Sequence, residues 1–181
     1  MNIKSWQIAG LIFTILFGSL LHFTYEWSDN NPLVGIFSAV NESTWEHLKL
    51  LFIPMFLFFI LEFFAYGNEY PNFIIIKFCS MLLGMVVIVA AFYTYSGILG
   101  QNFLWADILI FILGVLSSYL FTYIFLQTDC FVNPIYSFIG LLGIIGLLIC
   151  FFIFTFNPPQ LPFFQNPISL KYGIAGSNIE F

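Results

Sequence analysis

Five apolar runs dominate this chain, each long enough to cross a bilayer core of about 30 Å at about 1.5 Å of helix rise per residue. They cover roughly 6–27, 44–66, 73–96, 103–127 and 134–156. Lipid-facing backbone must satisfy its own hydrogen bonds, and the runs lack the strict alternation of barrel strands. The expected fold is therefore all-α: an integral membrane bundle of five transmembrane helices over 1–156, followed by a tail over 157–181.

Composition supports the same class. Hydrophobic residues make up 61% of the 181 positions and charged residues 7%, too little polar surface to wet a soluble domain of this size. The net charge of −5 rests on nine acids and four bases, all of them lysines. Without a basic patch, nucleic acid is excluded as a partner and the lipid bilayer is the expected one. The three cysteines are widely spaced and read as packing thiols, not as a disulfide or zinc framework. The first apolar run has no small-x-small cleavage pattern and reads as a retained span.

Between the first two runs lies SDNNPLVGIFSAVNES, Ser28 to Ser43. It begins with turn chemistry and carries an apolar patch, which fits an interfacial loop or short helix. Trp27, Trp45 and Trp105 stand at span ends, as interfacial anchors do. The tail is rich in Pro and Phe and too broken for a sixth span. Counting alternate spans gathers His22, Glu26, Asn41, Glu42, Glu46, His47, Tyr93, Tyr95, Asp107 and the tail on one membrane face. Lys4, Glu69, Lys77 and Asp129 fall on the other and read as loop charges. Lysines divide evenly between the faces, so orientation rests on the short basic N-terminus. It places that end in the cytoplasm of a cell-membrane protein and the polar mouth outside.

That mouth holds the residues able to carry chemistry. His22 and Glu26 are four apart and share a helix face, with Gly18 one step below them. A small residue beneath a polar pair points to a face turned into the bundle. In NESTWEHLK, Asn41 to Lys49, Ser43 and Glu46 have the S-x-x-E spacing of a capping box, and Lys49 is placed to pair with Glu46. Capping does not account for His47. Asp107 sits one turn inside the fourth run, on a seam with Gly114 and Ser118. Gly140, Gly143 and Gly146 suit close helix packing. Two imidazoles with carboxylates suit zinc or another divalent first-row metal. The expected ligands are His22, His47, Glu26 and Asp107, with Glu46 or Glu42 as general base. Their ligand atoms should then lie within about 4 Å of one another, and separations beyond about 8 Å would argue against a shared ion.

The same segments carry a resemblance. HFTYEWS at His22 to Ser28, NPLVG at Asn31 to Gly35 and FSAVNESTWEHLKL at Phe37 to Leu50 resemble an uncharacterised family of small bacterial integral membrane proteins. NPPQLPFF from Asn157 and YGI from Tyr172 look like that family's ending. The resemblance implies a fold and no assigned activity. A looser similarity is to membrane hydrolases that include alkaline ceramidases and progestin-type receptors, which hold zinc near one membrane face. Those have seven spans and three histidine ligands, against five spans and two histidines here.

Three functions are compatible with these observations. One is a metal-dependent hydrolase of a lipid or amphiphile, with the aromatic tail as a lid. The second is a small ion- or proton-binding transporter, which needs polar residues continuing through the bundle. The third is a non-catalytic membrane assembly module with a hydrogen-bonded polar plug.

Overall fold

The structure is a computed structural model and describes residues 2–176. Six α-helices follow in order: α1 (Ile3–Trp27), α2 (Pro32–Gly35), α3 (Thr44–Ala65), α4 (Phe73–Leu99), α5 (Leu104–Phe125) and α6 (Pro134–Phe156). All but α2 are long and apolar enough to cross a membrane. No strand occurs among the described residues, and the tail adds two 3-10 turns, Pro162–Phe164 and Gly173–Gly176. The helices match the five apolar runs to within a few residues.

Turn chemistry sets the boundaries. After α1 the chain reverses through Asp29 and Asn30, both at φ 57°. Asp and Asn enter this left-handed region more readily than other side chains. Asn31 then caps α2, its side chain accepting from Leu33 N at 2.9 Å with Pro32 in the first turn. Asn133 and Pro134 repeat the device at the start of α6.

Helix α3 is the centre of the bundle. Its hydropathic window is 61% buried, against 28% for α1 and 22% for α6. Around it α1 packs on α3 and α5, and α4 packs on α3, α5 and α6. One close approach of α1 to α3 has a specific cause. Pro54 lies inside α3 and has no N–H to offer the Leu50 carbonyl one turn earlier. Gly18 of α1 sits against that carbonyl, where a Cβ would collide with it. Gly84, Gly114 and Ser118 form the corresponding seam between α4 and α5. Gly140 and Gly143 pack on Ile75 and Phe78 of α4, but Gly146 has nothing within 4 Å of a Cβ position and faces outward.

Several expectations need correction. Lys77 is not a loop charge: it is 1% exposed and ion-paired with the fully buried Glu62. Trp27 and Trp105 are 68% and 65% exposed, as anchors should be, but Trp45 is not one of them. Its ring packs against Phe151 and Phe154 of α6 and Phe163 and Phe164 of the tail. Tyr25, near the end of α1, is also buried. The tail therefore folds back on α3 and α6.

Candidate metal centre

Three elements meet at one mouth of the bundle. The end of α1 contributes His22, the loop before α3 contributes Glu42, and the first turn of α3 contributes His47. One ligand atom from each lies within 4.8 Å of the others. That spread is slightly wider than expected of a closed site and far inside the separation that would exclude one. The two imidazole centroids are 5.1 Å apart with an interplanar angle of 47°. His47 Nε2 lies 3.5 Å from Glu42 Oε2.

Hydrogen bonding assigns the nitrogens. His47 Nδ1 is 2.9 Å from the Ser43 carbonyl, which can only accept. Nδ1 therefore carries a proton, and Nε2 is the nitrogen that faces Glu42. His22 Nδ1 is buried with no hydrogen-bond partner. A neutral imidazole whose far nitrogen donates to a carbonyl is the usual form of a metal-ligating histidine.

A small cavity of about 30 Å³ adjoins this group. Its lining includes His22, Glu26, Asn41 and Glu42. The space matches an ion with a water or two. Glu26 thus stands on the wall beside His22, outside the three-residue group. Asp107 lies elsewhere, in the first turn of α5, where it accepts from the Tyr95 hydroxyl and from Asn102. Glu46 is buried, and its Oε2 accepts from Lys49 Nζ at 2.6 Å and Val40 N at 3.1 Å.

The loop that carries Glu42 is tied from several sides. Ser43 caps α3 by accepting from Glu46 N, as the S-x-x-E spacing predicts. The return half of the capping box is different. Asn41 Oδ1 takes the Ser43 N–H at 2.8 Å, leaving the Glu46 carboxylate for Lys49 and Val40. Asn41 Nδ2 also donates to the Gly173 carbonyl of the tail at 2.9 Å.

Residues 1–174, nearly the whole chain, match a family of unknown function, DUF6512. The chain belongs to this family. The likeness carried by the NES-x-WEHLK block and the tail thus runs through all five spans. Comparison with curated proteins and with solved structures returned no match.

Two features of the DUF6512 bundle escaped the sequence. Lys49 is a hub as well as a partner of Glu46: Nζ also donates to the carbonyls of Gly35 and Ser38 and to Thr155 Oγ1. A second polar cluster occupies the opposite end of the bundle. There Glu62 pairs with Lys77 and accepts from Tyr66 Oη at 2.5 Å and Gln7 Nε2 at 2.8 Å. The Tyr66 hydroxyl is the donor in its bond to the Glu62 carboxylate. A signal was present. Glu62 lies three residues before the end of α3 and Lys77 four after the start of α4, which sets them at equal depth in an antiparallel hairpin.

Proposed function

We propose that this protein binds a divalent first-row metal through His22, Glu42 and His47 and uses it to hydrolyse an amphiphile at the membrane face. The observation that carries the reading is the Nδ1 bond of His47 to Ser43, which leaves Nε2 free toward a second imidazole and a carboxylate. Two imidazoles and one carboxylate are a donor set that leaves coordination positions open for water and substrate. When bound, the ion would acidify a water and polarise an ester or amide carbonyl.

The remaining roles fall to the chain. Glu26, on the cavity wall beside His22, is placed to take a proton from a water in that space. The cavity admits an ion and water but no acyl chain. An amphiphile would present its headgroup there and lay its apolar part on the exposed Phe23 and Trp27 side chains of α1. Orientation with the N-terminus in the cytoplasm would open the site outside. Elemental analysis of detergent-purified protein tests the reading. Stoichiometric zinc, manganese, iron or cobalt that falls away in both His22→Ala and His47→Ala supports it; wild-type protein that neither carries nor takes up such an ion overturns it.

A further inference from the structure

The Glu62 cluster is independent of this metal centre and asks for its own explanation. Glu62, Lys77, Gln7 and Tyr66 are 0%, 1%, 4% and 1% exposed. A buried ion pair gives no more stability than a well-packed apolar pair, since desolvating both charges offsets their attraction. Ionisable groups inside a membrane bundle are costly and mark functional sites by default.

The bonding of the cluster is incomplete. Glu62 Oε1 accepts from Tyr66 and Gln7, and Gln7 Nε2 also donates to Tyr66 Oη at 2.8 Å. Gln7 Oε1 is buried and has no partner. Around the Lys77 ammonium stand one carboxylate, the Tyr119 ring at 5.1 Å and the Phe73 ring at 5.9 Å. An ammonium facing an oxygen cluster and two π-faces occupies a place suited to a cation. Both Glu62 oxygens, Tyr66 Oη and Gln7 Oε1 supply four hard donors, and the Gln7 amide presents Oε1 by turning about its last bond.

We infer that this cluster is a monovalent-cation site whose resident cation is the tethered Lys77 ammonium, exchangeable for an alkali ion. As the alkali ion enters, Lys77 gives one proton to solvent, and the net charge of the cluster stays at zero. A divalent ion would leave one positive charge unbalanced in a low-dielectric interior. The titratable groups facing the site are Glu62 and Tyr66 from α3 and its C-cap, Lys77 from α4 and Tyr119 from α5; α1 brings the neutral Gln7. Gln7, Glu62, Tyr66 and Lys77 lie near the helix ends on the face opposite His22, and Tyr119 stands deeper. Farther in, Thr14 Oγ1 and Tyr119 Oη bond at 2.8 Å, and Gly18 closes on the Leu50 carbonyl. Exchange is therefore with one face.

The test uses full-length protein in lipid nanodiscs, weakly buffered at about pH 9.5, toward the lysine range. Sodium chloride is added against N-methylglucamine chloride at equal ionic strength, and proton release and sodium binding are read together. Wild type should release about one proton per sodium bound. Lys77→Met should bind sodium without releasing a proton, and Glu62→Gln should do neither. Gln7→Leu keeps the ion pair and should weaken sodium binding roughly tenfold, the loss of about one hydrogen-bond-sized interaction. His47→Ala should behave as wild type, which separates this site from the metal centre. Wild type and Lys77→Met that respond identically to sodium and N-methylglucamine overturn the inference. So does proton release that persists in Glu62→Gln. Should Lys77→Met fail to fold, undiminished sodium binding in Gln7→Leu is the overturning result.

Discussion

His47 donates from Nδ1 to the backbone carbonyl of Ser43, the N-cap of its own helix, and so its Nε2 is the nitrogen left for a ligand. His22 faces it with an unpartnered Nδ1. Two imidazoles held close, each with a nitrogen left for a ligand, suit a metal, and ligation requires those nitrogens to be free of protons. Metal uptake should therefore compete with protonation. Affinity for zinc or cobalt is expected to fall steadily as pH is lowered through the imidazole range, and to be regained on return. Isothermal titration at several pH values checks this; a pH-independent affinity would place the ion on other groups.

Glu42 and Glu26 should separate by role. Glu42 lies within the three-residue group, whereas Glu26 borders the cavity outside it. Glu42→Gln removes an anionic ligand and should weaken metal binding by about tenfold or more. Glu26→Gln should keep the metal and lower hydrolysis of a fluorogenic ester or amide amphiphile by about a hundredfold, in line with loss of a general base. Equal metal loss in both variants would make Glu26 a ligand.

Much of this architecture was legible in the sequence because lipid imposes it. Span length and apolarity set the five helices, and alternation of faces brought His22 and His47 to one mouth. Four-residue spacing placed Gly18 correctly beneath His22. Side-chain direction was not legible. Asp107 shares the mouth by depth, yet its helix turns it to Tyr95 on α4, and no spacing within α5 encodes that. Glu42 reads in sequence as a candidate base and not as a ligand, because its approach to the histidines depends on a loop held by Lys49, Asn41 and the tail. The Glu62–Lys77 pair was hidden for a related reason. Hydropathy places charges near helix ends at the interface, and only neighbouring helices decide whether they face water or the core.

Gly18→Ala tests whether helix approach sets the metal geometry. The added methyl meets a backbone carbonyl, that of Leu50, which cannot swing aside as a side chain does. Helix α1 must move outward, taking His22 with it. Destabilisation of about 1–3 kcal/mol is expected from overpacking, along with weaker metal binding. Thermal unfolding in detergent and a cobalt titration report the two effects; unchanged values for both would mean that α1 shifts freely.

Asn41 links the tail to the ligand-bearing loop. Its amide bonds Ser43 N on one side and the Gly173 carbonyl on the other, immediately beside Glu42. Asn41→Ala should cost about 1–2 kcal/mol through lost buried hydrogen bonds. It should also alter the visible absorption of bound cobalt, which follows ligand geometry. An unchanged cobalt spectrum in a destabilised variant would limit Asn41 to a structural role.

Lys49 gives the sharpest stability test. Its ammonium sits with no exposed surface among Glu46, the Gly35 and Ser38 carbonyls and Thr155, tying the loop to α3 and α6. Lys49→Met strands the Glu46 carboxylate in the interior, with only Val40 N among its present donors. Breaking a buried pair from one side costs about 3–5 kcal/mol. Neutralising the survivor removes much of that penalty, so Lys49→Met with Glu46→Gln should recover a large part of the loss. The double-mutant cycle in thermal or denaturant unfolding measures the coupling. Additive losses would mean that Lys49 acts through the loop carbonyls and Thr155, with Glu46 incidental to its hold.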